Sequence, residues 1–235
     1  MHELSAAFGE AFRLISTMDG DLMEIVLLSL RVSLMAVAVA ALIGLPLGAA
    51  VAVVRFPGRG VVIAVMNALM GLPPVVVGLA VYLLLSRAGP LGDWGLLYTP
   101  NAMVIAQAVL VTPIIAALTR QTVEDLHGAY DEQLRAFGIG RRGMIATLLW
   151  EARVSLVTVM LAGFGRAVAE VGAVIMVGGN INHVTRVMTT AIALETSKGA
   201  LDLALGLGIV LLVIVLGVNG LASLMKATTM VRADA

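Results

Sequence analysis

Four stretches of this chain, Val32 to Val54, Val61 to Ser86, Asn101 to Thr119 and Leu203 to Met225, contain no charged side chain at all. A bilayer core of about 30 Å needs around 20 apolar residues per helix, and each stretch is of that order. A fifth, from Val154 to Val177, is long enough but carries Arg166 and Glu170. The chain has 235 residues, 60% hydrophobic and 13% charged, with a mean hydropathy of +1.03. Soluble domains carry roughly 25% charged residues, so no aqueous core of this size could bury so much apolar surface. The solvent for these segments is lipid.

The expected fold is all-α and integral to a membrane, a single domain over 1–235. Its spans fall at about 25–54, 61–86, 101–119, 148–178 and 203–225, with a polar segment at 120–147. Leu, Ala, Val and Gly dominate, without the ten-residue alternation of a membrane β-barrel. Basic residues orient the bundle. Arg55 and Arg59 lie between spans one and two, Arg135, Arg141 and Arg142 between spans three and four, and Lys226 and Arg232 in the tail. A five-span count puts all three groups on one side, read as cytoplasmic, with the C-terminus there and the acidic N-terminal segment outside. The first twenty residues do not read as a cleavable signal peptide. Leu4, Ala7, Phe8, Ala11, Phe12 and Ile15 are spaced for an amphipathic helix over Glu3 to Met18 on the outer interface, or belong to a poorly ordered terminus.

Helix breaks are expected at Pro46, at Pro73 and Pro74, and at Pro113. Proline removes a helix hydrogen bond and clashes with the preceding turn. In a membrane the freed carbonyls need protein or a cavity, so the breaks fit either close packing or a chain that opens a path. The double proline should unwind its helix locally.

Other chemistry is sparse. The absence of cysteine removes disulfides and thiolate sites, and zero net charge gives no reason to expect nucleic acid. His2, His127 and His183 lack metal-site spacing, no G-x-S-x-G is present, and no catalytic or metal site is expected. No G-x-x-x-x-G-K-[ST] loop occurs either, so the chain should not bind ATP through a P-loop.

In the segment between spans three and four, Asp131 can cap a short helix from Glu132 to Phe137, with Gly138 placed to end it. So short a helix is unstable alone and must dock on something. Here "EQLRAFG" resembles the cytoplasmic loop of bacterial and archaeal ABC-importer permeases, with Glu132 and Gly138 matching and Gln133 and Leu134 departing from the usual two alanines. Glu151 stands where that family often has a proline, which implies that the next helix continues without a break. "LPPVVVGL" and "RAVAEVGAVIMVGGNI" are similar to segments of molybdate, sulfate and tungstate permeases, and "RVMTTAIALETSKGALDLALGLGIVLL" is most similar to the tungstate type.

The resemblance implies a type I importer permease in the plasma (inner) membrane, working as a homodimer. Two cytoplasmic ATPase subunits would use ATP and Mg, and an extracytoplasmic oxyanion-binding protein would load it; this chain would bind no cofactor itself. Asp131, Glu132, Arg135, Ala136 and Gly138 would then couple the permease to the ATPase, and the cargo would be tungstate, or else molybdate or sulfate. An ion-coupled secondary transporter and a non-transporting scaffold are the competing readings; the first would show inverted repeats, and none is evident.

The implied cargo must cross without tight binding, which suits hydroxyls and backbone N–H groups, so Asn180, Thr185 and Thr189, with Asn182, Arg186 and Thr190, are candidates for an outer gate or for an ordinary solvated loop. A charge at a helix centre costs about 2.5 to 3.5 kcal/mol on insertion scales, so Arg166 and Glu170 should not face lipid. At i, i+4 they can pair, beside the small-residue stripe Ala162, Gly165, Ala169 and Gly172. They either line a translocation path or form a structural ion pair.

Overall fold

The computed structural model describes residues 8–9, 12–13, 16–17 and 20–233, apart from the side chains of residue 202 and of residues 221–233. The helix expected over Glu3 to Met18 falls mostly outside these residues, as do the side chains of Lys226 and Arg232. The described chain forms α1 (Gly20–Val53), α2 (Arg59–Leu69), α3 (Pro74–Leu85), a 3-10 turn (Gly92–Trp94) and α4 (Pro100–Ala136). It continues as α5 (Arg141–Glu151), α6 (Arg153–Val168), α7 (Gly172–Gly178), α8 (Met188–Lys198) and α9 (Leu201–Ala233), with no strand among the described residues. By length and composition, α1, α4 and the Leu203–Gly220 part of α9 can cross a membrane. Taking the bent pairs α2 with α3 and α5 with α6 as one span each brings the number to five.

Prolines act differently at their three locations. Pro46 and Pro113 lie inside α1 and α4, which run on through them, so the breaks expected there are corrected. At the double proline the helix does stop. Pro73 cannot donate a hydrogen bond, Pro74 holds Pro73 extended at φ −64° and ψ 121°, and Pro74 opens α3 at a position where its missing N–H costs nothing.

Two further expectations are corrected. Residues 120–136 extend α4, so Glu132 to Phe137 is not a separate helix and Asp131 is not its cap. No proline interrupts residues 120–136, the pairs Arg120–Glu124 and Asp131–Arg135 span one turn each, and a formed helix propagates at little cost. Beyond Glu151 the helix does not continue unbroken: α5 and α6 meet at a 75° bend. At the bend Arg153 donates from Nη1 to the Trp150 carbonyl at 2.8 Å while its guanidinium lies over the Trp150 ring at 5.1 Å.

The chain divides into two compact units, Met1–Met35, Pro73–Gln107 and Val168–Asn219 in the first, and Ala36–Leu72, Ala108–Ala167 and Gly220–Ala235 in the second. Lipid tails are as apolar as leucine, so packing must come from close approach and polar links rather than from burial. In the first unit Leu22, Met188, Ala191 and Leu207 form a buried cluster, and α3 meets α7 so closely that a Cβ on Gly78 would lie 2.7 Å from the Ala173 Cα. In the second unit Ala49, Ala52, Val53, Val123, Leu134, Met144 and Leu148 cluster. There Gly44 and Gly48 bring α1 against α4.

Candidate functional site

In the first unit the polar residues gather around Glu170, just before α7. Residues 169–171 are not helical, and Glu170 lies in this gap, 3% exposed. Its Oε1 accepts from the Ala173 N–H at 3.0 Å, satisfying one of the free amides at the start of α7, where a carboxylate is favoured. Its carbonyl accepts from Thr189 Oγ1 at 2.9 Å. Gly172 leaves room for this, because a Cβ there would come within 2.8 Å of the Val75 side chain and 3.6 Å of Glu170 Oε1. Arg166 sits in the last turn of α6, so one continuous helix does not carry both charges as expected. Neither side chain is without a partner.

The segment from Gly179 to Thr190 is tied by its own hydroxyls. Thr185, fully buried, accepts from the Ile181 N–H at 3.0 Å and donates to the Gly178 carbonyl at 2.5 Å. Thr190, also fully buried, accepts from the Val187 N–H at 3.1 Å and donates to the Val187 carbonyl at 3.0 Å. Asn180 adopts a left-handed φ of 49°, which asparagine tolerates, and its Nδ2 donates to the Thr190 carbonyl at 3.3 Å. Ser29 on α1 accepts from the Met188 N–H at 2.8 Å, pinning the start of α8. Thr185 and Thr189, expected to offer hydroxyls to an anion, donate them to backbone carbonyls instead.

His183, which lacks metal-site spacing in the sequence, has acidic neighbours in the fold. Its Nδ1 lies 2.8 Å from Glu24 Oε2, and the ligand-capable atoms of Asp21, Glu24 and His183 lie within 4.8 Å of one another, all exposed. The hydrogen bond to Glu24 and its charge raise the His183 pKa above the usual 6.5, helped by Asp21 and opposed by desolvation and Arg186. A group whose folded pKa is raised stabilises the fold fully below its unfolded value and loses that contribution as pH rises through the folded value. The wild type should therefore be more stable than His183→Gln in mildly acid buffer, and the difference should vanish in alkali. Thermal midpoints of both proteins across this range check it; a pH-independent difference would refute it.

The second unit holds the end of α4. Arg59 donates from Nε to the Val51 carbonyl at 2.8 Å and from Nη2 to the Ala52 carbonyl at 3.3 Å, closing the last turn of α1. The same Nη2 reaches Glu124 Oε1 at 2.8 Å, and Arg120 holds the other carboxylate oxygen. Two turns further on, Asp131 accepts from Arg135 Nε at 2.8 Å, with His127 Nε2 at 3.4 Å.

Gly138, at φ +69°, ends the helix: its N–H donates to the Arg135 carbonyl at 2.9 Å and the Ile139 N–H to the Leu134 carbonyl at 3.1 Å. This paired closure needs a left-handed residue, which glycine adopts without strain. Leu134 is buried in the unit's core and Ile139 packs on it, while Glu132, Ala136 and Gly138 are exposed and Phe137 is 80% exposed. Leu134 anchors the helix end, and an acid and an aromatic ring close to it in sequence are exposed. Phe137 was missed in the sequence, although an aromatic residue before a helix-ending glycine in a polar segment is a readable signal.

Taken together, these features define a multi-pass α-helical membrane protein with an anchored polar helix end. Residues 44–227 match the family described as the binding-protein-dependent transport system inner membrane component. The chain belongs to this family of ABC-importer permeases. It is 41% identical over 213 residues to a Haloferax volcanii "probable anion ABC transporter permease protein", covering 88% of this chain and 92% of the relative. It is 39% identical to a tungstate uptake system permease protein of Peptoclostridium acidaminophilum, over 93% of this chain and 96% of the relative. A tungstate uptake system permease protein of Campylobacter jejuni is 37% identical over 70% of this chain and 69% of its own length.

Proposed function

We propose that this chain forms the translocation path of an ATP-driven importer for a tetrahedral oxyanion, tungstate in the first place. The observation that carries the reading is the helix end at Asp131–Gly138, anchored through Leu134 and presenting Glu132 and Phe137 outward, in a chain of the permease family. The similarity to two tungstate uptake permeases supports the choice of cargo. A second copy of the chain completes the path, a partner ATPase hydrolyses ATP with Mg, and an extracytoplasmic protein delivers the anion.

Contacts within each unit support the orientation read from the arginines. Arg59, between spans one and two, pairs with Glu124 on the polar extension of α4, so those two segments share a side, the cytoplasmic one under the positive-inside rule. His183 meets Glu24 near the opposite end of α1, on the outer side with the N-terminus. Arg166, in the last turn of α6, and Glu170, before α7, are our candidates for the path, and Asn180, Thr185 and Thr189 shape the outer segment.

Exposed Glu132→Lys and Phe137→Asp should leave the permease's thermal stability within about 0.5 kcal/mol, since surface changes away from special features do little. Each should nevertheless reduce ATPase co-purification and ATP-dependent tungstate uptake about ten-fold or more, as truncating an interface anchor does. Wild-type co-purification and uptake in both variants would refute the coupling role. Uptake of molybdate or sulfate in preference to tungstate would refute the cargo alone.

A further inference from the structure

Arg55, His127, Arg135, Gly140 and Arg141 line a cavity of about 330 Å³ in the second unit, with Val53, Ile139 and Met144 as its apolar side. It lies where α1 ends, α4 ends and α5 begins, all within one unit. Three of its lining residues are arginines. Asp131 engages Arg135 and faces His127, which offsets one positive charge and leaves two. Neither Arg55 nor Arg141 has an ion pair among the described residues. Gly140 precedes α5 in extended conformation with no side-chain cap, so the first amides of this 11-residue helix have no side-chain acceptor, and Gly140 and Arg141 at that helix start line the cavity.

We propose that this cavity binds a tetrahedral oxyanion of the phosphate class, held by the Arg55 and Arg141 guanidiniums with help from the first amides of α5. The match is one of charge and shape. Two uncompensated positive charges suit a dianion, and guanidinium forks bind such groups through paired hydrogen bonds. Helix amides add further donors. The same chemistry arrives from two sources, a free oxyanion in the cytoplasm or the phosphate of an anionic lipid beside the helix ends. The cytoplasmic placement rests on the permease reading; the site's affinity for anions does not.

The test uses the full chain in phosphatidylcholine nanodiscs, titrated with inorganic phosphate while the thermal midpoint is followed, beside nanodiscs that also contain phosphatidylglycerol. For a free anion, phosphate raises the midpoint saturably in phosphatidylcholine. Arg55→Gln and Arg141→Gln then each weaken the apparent affinity about ten-fold or more, as expected for lost charge-assisted hydrogen bonds. For a lipid phosphate, phosphatidylglycerol raises the midpoint, free phosphate adds nothing to it, and both substitutions abolish the gain. Arg142→Gln, outside the cavity lining, keeps the wild-type response in either case. The site is refuted if neither ligand shifts the midpoint, if the shift survives both substitutions, or if Arg142→Gln removes it equally. Because the assay needs neither ATP nor transport, its failure and the failure of the permease reading are separable.

Discussion

Replacing Gly48 with leucine should leave little folded permease in the membrane. A Cβ at this position would collide with the Ala116 carbonyl oxygen and lie 2.9 Å from Thr119 Cβ and 3.0 Å from the Arg120 amide nitrogen. Two of these neighbours are backbone atoms of α4 and the third is a β-carbon, so none can swing aside and the helices must separate. Overpacking a tight contact costs about 1–3 kcal/mol for small additions, and leucine adds three carbons beyond the Cβ. In lipid no hydrophobic gain compensates, because the displaced helix faces stay in an apolar solvent. The separation would also disturb the cluster of Ala49, Ala52, Val123 and Leu134 that anchors the end of α4. Gly60→Ala is the control, since a Cβ there meets nothing within 4 Å. Membrane expression and the thermal midpoint in detergent decide it; a wild-type midpoint for Gly48→Leu would refute the close contact.

Glu170 gives the second large effect. Glu170→Ala removes the acceptor of the Ala173 N–H in a site where the carboxylate is 3% exposed. An unpaired buried donor costs about 1–3 kcal/mol, to which the lost side-chain volume adds. The start of α7 should loosen, and with it the Thr189 bond to the Glu170 carbonyl. Glu170→Gln keeps an oxygen that can still accept from Ala173, so it should fold close to wild type. The pair of variants separates two roles. Lost uptake in a stable Glu170→Gln places the charge itself in the path; retained uptake there, with an unstable Glu170→Ala, makes Glu170 a structural cap. Wild-type stability for Glu170→Ala would remove the structural cap.

Much of this could be read without coordinates because it depends on properties local to the chain. Uncharged runs long enough for a bilayer mark spans whatever surrounds them. Adjacent prolines stop a helix through sterics that reach only one turn. Gly138 ends α4 because a left-handed residue must follow the last turn and glycine takes that conformation without strain. The permease resemblance was legible for the same reason, since its short motifs carry these local constraints.

Other features were decided by neighbours beyond the local helical turn. Pro46 and Pro113 looked like breaks, yet the surrounding packing carries α1 and α4 through them. Thr185 and Thr189 read as hydroxyls open to an anion, and only the fold shows that the Gly178 and Glu170 carbonyls take their protons. His183 had no metal-like spacing in the sequence, but it meets Glu24 across 159 residues. The basic cavity unites Arg55, Arg135 and Arg141 from three separate segments. Hydropathy and short-range sterics are summed along the chain, so the sequence by itself determined the membrane class, the all-helical fold and the glycine that ends α4. A hydrogen bond or charge cluster depends on which groups are brought within about 3 Å, and that is settled by tertiary packing alone.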